Sequence, residues 1–162
     1  MPSLEPRLGL LATCLAACAC STPDNTTPVP NDNQAIQELH EEWTRVVSQG
    51  DVPGLLALVN EDAVFWAGAQ PPVEGREGVR TAFAPVFARF YVTQRWESSE
   101  LLISGEWAID RGLEYVLVTP KEGSGSSVSS LRRAFSILNR GHDGRWRYAR
   151  GLTVALPPAE QP

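Results

Sequence analysis

The chain has few cysteines, and all of them, Cys14, Cys18 and Cys20, lie within the first twenty residues. From residue 21 onward no thiol is available for a disulfide, a thiolate metal site or a cysteine nucleophile. Histidine is also scarce, with two residues and no His-x-His or His-x-x-Glu spacing, so a metal site built from imidazole and carboxylate groups is not predicted. We therefore expect the protein to use no metal and no other cofactor.

Long apolar runs and an excess of basic charge are missing too. The apolar run from Leu8 to Ala17 has half the length of about 20 residues that a helix needs to cross a bilayer. The net charge is −5, and no nucleic-acid recognition module is present, so we expect no nucleic-acid partner. The Gly/Ser stretch from Gly123 to Ser127 connects two predicted strands, which distinguishes it from a phosphate-binding loop.

The N-terminal apolar run ends in Leu15-Ala16-Ala17-Cys18 and follows a single basic residue, Arg7. In order and spacing this segment resembles a bacterial lipoprotein signal, in which cleavage before the cysteine frees a thiol for a diacylglycerol. The resemblance implies a signal peptide over residues 1–17 and a lipid anchor at Cys18. Ala19 after the anchor implies sorting to the outer membrane, facing the periplasm. An ordinary cleaved secretory signal is the alternative.

The rest of the chain divides into a tether, one domain and a short tail. Residues 18–32 are rich in Pro, Thr, Asn and Asp and contain too little apolar surface to offset the entropy of ordering. If extended, residues 21–32 of this tether would reach on the order of 35 Å from the lipid surface. Residues 33–157 suffice for a single globular domain with its own core, and residues 158–162 form the tail.

Within the domain the pattern predicts helices first and strands after. Apolar residues at helical spacing follow the cap candidates Asp32 and Asn33 and stop at Gly50. Changes of period, turn residues and β-branched runs delimit the other elements. They are a short helix over Val52 to Asn60, a buried strand over Ala63 to Ala67, a third helix from Gly75, and strands over Tyr91 to Ile103, Trp107 to Thr119, Val128 to Arg140 and Arg145 to Ala155. We expect an antiparallel sheet.

The last strands carry apolar residues on both faces. Phe135 and Ile137 point to one side of the predicted sheet, whereas Ala134 and Leu138 point to the other. Helices of the same chain can cover one face, and the other face needs a different cover. The simplest cover is a second copy of the chain, so we expect a homodimer.

Short motifs at the helix stops and turns also carry a family resemblance. In order and spacing they resemble the NTF2-like superfamily, with its ketosteroid-isomerase and SnoaL branches and the DUF4440 group. The resemblance covers roughly residues 34 to 156 and implies an α+β cone, in which three helices pack into a curved antiparallel sheet. The motifs are Trp43 with Gly50-Asp51, Glu61-Asp62-Ala63, Gln70-Pro71-Pro72-Val73-Glu74-Gly75-Arg76-Glu77 and Asp143-Gly144-Arg145-Trp146.

The catalytic residue types of the isomerase branch are replaced in this chain. By the resemblance, the position of the tyrosine donor falls on Trp43, and that of the aspartate base falls on Ala67 or Trp66. The position of the protonated aspartate falls on Ser136, which is a weaker hydrogen-bond donor. Steroid isomerisation by that mechanism is therefore excluded, and no catalytic residue is assigned.

The resemblance nevertheless implies a cavity at the wide end of the cone. An apolar cavity with a few polar groups suits a small hydrophobic ligand. The expected ligand-pocket residues are Trp43, Phe65, Trp66, Ala67, Phe83, Ser136 and Thr153.

Other polar residues are given surface roles. His40 is interpreted as a helix-surface residue, although the neighbouring carboxylates could make it a base. Asp110 and Glu114 share a strand face and could form a paired acid site, but we favour an open face beside arginines. His142 is placed at a solvated hairpin tip. The arginines of the final hairpin are interpreted as a solvated and self-paired surface, with an anionic ligand as the alternative; they are Arg132, Arg133, Arg140, Arg145, Arg147 and Arg150.

Three functions stay open on the sequence alone. The leading hypothesis is a lipid-anchored domain that binds a small apolar molecule or a periplasmic protein without catalysis. The second is a SnoaL-like enzyme in which Ser136, His40 or an ordered water handles protons. The third is an envelope scaffolding protein whose working surface is the sheet face of Phe135, Ile137, Trp146 and Tyr148. A cavity with Asp110, Glu114 or His40 pointing into it would favour the enzyme.

Overall fold

The computed structural model describes residues 30–123 and 125–157, and it gives no side-chain detail for residues 30 and 31. The predicted signal peptide, the lipid anchor, most of the tether and the tail lie outside these residues. The described elements, in chain order, are α1 Pro30–Gln49, α2 Val52–Ala57, β1 Val59–Ala67, β2 Val73–Glu74, α3 Gly75–Arg89, β3 Phe90–Ser104, β4 Trp107–Pro120, β5 Val128–Arg140 and β6 Trp146–Ala155. Within these residues every helix is too short or too polar to span a lipid bilayer.

Helix α1 follows the predicted apolar stripe. Its residues Ile36, Val46 and Val47 are buried to within 1% of full burial. The helix ends at Gln49, and Gly50 adopts the left-handed conformation with φ 67°, which glycine accepts without steric cost. The helix starts at Pro30, ahead of the predicted cap residues, so the last residues of the predicted tether are helical.

The sheet has six strands in the order β2-β1-β6-β5-β4-β3. Strands β3 to β6 are antiparallel neighbours, as predicted. The expectation of a wholly antiparallel sheet is wrong at one place, because β1 runs parallel to β6 and pairs Phe65 with Gly151. After β1 the chain turns back through β2 and α3 to reach the opposite edge at β3, so β6 returns beside β1 in the same direction.

The second helix is shorter than predicted, and the first strand is longer. The backbone N–H of Tyr148 donates to the carbonyl of Leu58 at 2.9 Å, and Val59 is paired with Tyr148. Hydrogen bonding to β6 therefore draws the chain into the sheet directly after α2. Val59 and Ala63 are fully buried as a result.

The two faces of the sheet differ as the strand pattern predicts. Ala134 and Leu138 are buried against the helices, whereas Phe135 on the outer face is 38% exposed. The surface predicted for scaffolding is not a single face, because Trp146 and Tyr148 are buried in the core with Leu138. The concave inner face, which the helices cover incompletely, contains the site described next.

Candidate functional site

A cavity with a volume of about 710 Å³ lies between the concave face of the sheet and helices α1 and α3. Aromatic and apolar side chains make up most of its wall. All seven residues predicted for a ligand pocket line it: Trp43, Phe65, Trp66, Ala67, Phe83, Ser136 and Thr153.

The cavity exists because the strands beneath it carry small residues. Ala134, Ser136 and Gly151 form part of its floor, and Ser136 pairs with Gly151 across β5 and β6. A Cβ atom at Gly151 would lie 2.6 Å from Cδ1 of Phe65, a distance too short for a stable contact. Glycine at this position therefore lets the Phe65 ring lie flat against the sheet and keeps the cavity open.

Aromatic rings enclose the helix side of the cavity. The ring of Trp43 lies 4.7 Å from that of Tyr148 and 6.3 Å, at a right angle, from that of Phe83. Phe65 lies 6.2 Å from Trp43 on the other side. Such packing gives the cavity a rigid apolar wall that favours a flat or compact apolar ligand.

A hydrogen-bonded chain of three side chains reaches the cavity from inside the core. Asp110 Oδ2 lies 2.7 Å from His40 Nε2, and His40 Nδ1 lies 2.5 Å from the Tyr148 hydroxyl. All three residues are buried. With Asp110 ionised and His40 neutral, Nε2 donates its hydrogen to Asp110 and Nδ1 accepts from the Tyr148 hydroxyl.

The Asp110 carboxylate has three side-chain hydrogen-bond partners. Besides His40, it accepts a hydrogen bond from Ser98 Oγ at 2.6 Å and one from Trp96 Nε1 at 3.2 Å. The Trp96 ring also stacks on the His40 imidazole, with centroids 5.1 Å apart and an interplanar angle of 18°. These contacts fix the position of the imidazole ring and direct Nδ1 toward Tyr148 at the cavity wall.

A second buried carboxylate, Glu114, lines the same cavity. It accepts hydrogen bonds from Gln94 Nε2 and, at 3.5 Å, from Arg132 Nη1, and Gln94 in turn accepts one from Trp43 Nε1 at 2.8 Å. Burial raises the pKa of Glu114, although the Arg132 charge and these hydrogen bonds oppose the shift. Burial, together with the charges of Asp110 and Glu114, also raises the pKa of the Tyr148 hydroxyl.

The predictions for His40, Asp110 and Glu114 were wrong in placing them on open surfaces. His40 continues the apolar stripe of Ile36 and Leu39 on α1, and this spacing was the signal for burial. Asp110 and Glu114 lie on the same face of β4 as Ala108 and Val116, which are buried, and residues of the outer face alternate with them. His142, by contrast, is exposed in the turn between β5 and β6.

Ser136 is the other buried polar residue in the cavity. It is 7% exposed, and among the described residues its hydroxyl has no hydrogen-bond partner. Because Ser136 lines the cavity, its hydroxyl can pair with a ligand atom there.

The arginines of the final hairpin mostly pair with carboxylates of the same chain. Arg140 contacts Asp32 at 2.8 Å, Arg147 contacts Asp143 at 2.5 Å and Arg150 contacts Asp62 at 3.2 Å. Arg132 also pairs with a carboxylate, that of Glu114 at 3.5 Å, and this pair lines the cavity. Residues 30–123 and 125–157 contain no cluster of three or more His, Cys, Asp or Glu residues that could hold a metal ion.

The family model described as SnoaL-like domain matches residues 40–149, whereas no curated protein matches the chain. A conserved protein from Planctomyces limnophilus is 26% identical, with a TM-score of 0.72 over 78% of this chain and 98% of that one.

Two further solved structures share the fold at lower identity. A ketosteroid isomerase-like protein from Erwinia carotovora atroseptica is 20% identical, with a TM-score of 0.69 over 80% of this chain and all of that one. An NTF2-like protein with a cystatin-like fold from Novosphingobium aromaticivorans is 19% identical, with a TM-score of 0.66 over 80% of this chain and 85% of that one. The predicted NTF2-like α+β fold is therefore confirmed.

Proposed function

This chain belongs to the SnoaL-like domain family, and on that basis we propose that it is an acid–base enzyme that moves a proton on a small, largely apolar molecule. The observation that supports this most strongly is the chain Asp110–His40–Tyr148, which ends at the cavity wall. The substrate would bind against the aromatic wall, with one polar group near Tyr148 and Ser136. The sequence favours binding without catalysis because it places no titratable group among the expected pocket residues, whereas His40, Glu114 and Tyr148 line the cavity.

Tyr148 is the group of this chain that would touch the substrate. Its pKa is raised, so the hydroxyl is neutral at ordinary pH and gives its hydrogen to His40 Nδ1. A lone pair of the hydroxyl oxygen remains for a proton from the substrate. When the substrate proton binds to this oxygen, the original hydroxyl proton passes to Nδ1, and the resulting imidazolium is stabilised by Asp110.

Glu114 supplies a second proton site in the same cavity. Burial raises its pKa, so the carboxyl group takes up a proton more readily than an exposed glutamate does, and in that form it can donate to a developing negative charge. Tyr148 and Glu114 are two groups that hold protons in different environments, which an isomerisation requires when it removes a proton at one atom and returns it at another. An elimination needs the same pair, with Glu114 protonating the leaving group.

Ligand binding without catalysis is the second candidate. The observation that favours it is that both ring nitrogens of His40 already have partners within the protein. In that case the polar chain would hold α1 against the sheet, and the cavity would retain an apolar molecule or the exposed sheet would hold a periplasmic protein.

Turnover of 5-nitrobenzisoxazole tests the enzyme proposal without knowledge of the natural substrate. Its ring opens when a base removes one C–H proton, and the coloured nitrophenolate product is measured directly. We expect turnover above the buffer rate and a loss of at least 10²-fold in Tyr148→Phe, as is typical for a lost acid–base group. Tyr91→Phe, a change of an exposed tyrosine on β3, is the matched control.

The outcomes separate the two candidates. Saturable binding of the probe without turnover by the wild-type protein would support binding without catalysis. A Tyr148→Phe variant that keeps both its melting temperature and the full turnover rate would contradict the role of the Asp110–His40–Tyr148 chain.

A further inference from the structure

A second cavity lies on the other side of His40. It has a volume of about 610 Å³ and lies between α1 and strands β3 and β4. Two of its lining residues, Gln37 and Ser98, are exposed, so the cavity is open to solvent. Asp110 lines this cavity and does not line the first one.

Three residues separate the two cavities. His40, Thr44 and Trp96 line both of them, and the Thr44 hydroxyl donates to the backbone carbonyl of His40 at 3.0 Å. The imidazole of His40 crosses this wall. Its Nδ1 side meets Tyr148, which lines the first cavity, and its Nε2 side meets Asp110, which lines the second.

We propose that His40 carries protons between the ligand cavity and solvent in the second cavity, entering the ring at one nitrogen and leaving at the other. A ligand that fills the first cavity displaces water from Tyr148 and closes that route. The second cavity keeps the buried imidazole in proton exchange with solvent while the ligand is bound.

The proton balance of this path is simple. A proton from the ligand binds to the Tyr148 oxygen, the Tyr148 hydroxyl proton moves to Nδ1, and the Nε2 proton leaves through the Asp110 side to water. A proton that returns along the same path restores the starting tautomer of His40. The path therefore suits a reaction in which a proton is removed from the ligand and later returned to it. It also makes that proton exchangeable with solvent.

Ser98 provides the last contact of the path. Its hydroxyl donates to Asp110 Oδ1 at 2.6 Å, and the residue is exposed on the second cavity. Asp110 itself is 1% exposed, so a solvent proton meets the Ser98 hydroxyl before it reaches the carboxylate. The stacked Trp96 ring keeps the imidazole plane fixed across the wall.

Exchange of the His40 Nε2 proton with water tests this path directly. The chain has two histidines, so protein labelled with ¹⁵N in the histidine rings gives two ring systems to assign by NMR, and His142→Gln identifies His40. Magnetisation transfer from water then measures the exchange rate of the Nε2 proton in the full chain. The measurement needs neither a ligand nor turnover.

Two variants close one cavity each. Gln37→Trp fills the second cavity from the exposed face of α1, and Gln34→Trp is its matched control, because Gln34 is exposed on the same helix and lines neither cavity. Ala82→Trp fills the first cavity from α3. We expect Gln37→Trp to slow the exchange at least tenfold, and Ala82→Trp and Gln34→Trp to change it less than twofold. Ser98→Ala should also slow it.

Slow exchange in Ala82→Trp together with unchanged exchange in Gln37→Trp would overturn the proposal, since protons would then pass through the first cavity. A His40 ring protonated at Nδ1 in the resting protein would overturn it as well. The use of the path in catalysis depends on the proposed function, whereas the exchange measurement does not. If the exchange rates of the variants are as expected but 5-nitrobenzisoxazole is not turned over, the proton path stands and the proposal of an enzyme is refuted.

Discussion

His40 on the first helix and Asp110 on the fourth strand form a hydrogen bond of 2.7 Å between two buried side chains, although 70 positions separate them in the chain. The bond joins α1 to β4, the strand next to the β3 edge of the sheet, and holds a titratable ring at the wall of an apolar cavity. Burying such groups is costly unless they are paired, so the pair either stabilises a unique packing of α1 or serves chemistry. We assign the pair to chemistry.

We predict that Glu114 makes the stability of the fold depend on pH. Burial raises its folded-state pKa above the ordinary value of 4.5. Its contribution to the free energy of unfolding is therefore fully present below pH 4.5, and it is lost as the pH rises through the folded-state pKa. Each unit of displacement corresponds to about 1.4 kcal/mol. Relative to the wild type, Glu114→Gln should gain unfolding free energy between pH 4 and pH 8, measured by urea unfolding.

The exposed glutamate variant Glu97→Gln is the control for this prediction, and its difference from the wild type should be nearly constant over the same range. A constant difference for Glu114→Gln would show that the carboxyl group is not destabilised by burial.

We predict that Asp32 fastens the start of α1 to the last hairpin. Its Oδ1 atom accepts hydrogen bonds from Arg140 Nη1 at 2.8 Å and from Trp146 Nε1 at 3.2 Å, and the residue is 6% exposed. Asp32→Ala leaves the indole N–H of buried Trp146 without its acceptor and should cost about 1–3 kcal/mol of unfolding free energy. Chemical denaturation measures the loss, and Asn33→Ala, at the exposed neighbouring position, should be nearly neutral.

We propose that a second copy of the chain covers the outer face of the sheet, as the strand pattern predicts. Phe135, Leu152 and Val154 on neighbouring strands β5 and β6 are 38%, 43% and 49% exposed, and such a contiguous apolar surface favours association. Phe135→Glu should shift the protein toward the monomer in sedimentation velocity. Ala57→Glu, an exposed change on α2, should leave the association unchanged. A wild-type monomer at all concentrations would refute the homodimer.

The lipid anchor at Cys18 stays a prediction from the sequence. We expect the wild-type chain to fractionate with membranes in a Gram-negative host and to carry the mass of a diacylglycerol and a third acyl chain. Cys18→Ser should release the protein to the soluble periplasmic fraction without that mass, because a cysteine thiol is needed for the thioether. An unchanged mass and unchanged membrane fractionation in Cys18→Ser would mean that Cys18 is not lipidated.

Local patterns predicted most of the architecture. The apolar stripe of α1, the left-handed Gly50 and the long strands β3 to β6 follow from periodicity and turn residues, which act over a few neighbouring positions. The boundary between α2 and β1 could not be predicted in this way, since the pairing of Val59 with distant Tyr148 decides it. The parallel pairing of β1 with β6 is likewise a long-range relationship.

The site shows the same division. The sequence by itself determined the cavity wall, because motifs such as Trp43 with Gly50-Asp51 and Asp143-Gly144-Arg145-Trp146 carry the family resemblance that implies the cone and its lining residues. Only the tertiary structure decided that His40, Asp110 and Tyr148 meet, since α1, β4 and β6 come together through the curvature of the sheet and the packing of α1 on it. Taken one at a time in the sequence, each of the three fits a position on the surface. Burying them is tolerated only because they form hydrogen bonds with one another, and these bonds exist only in the folded structure.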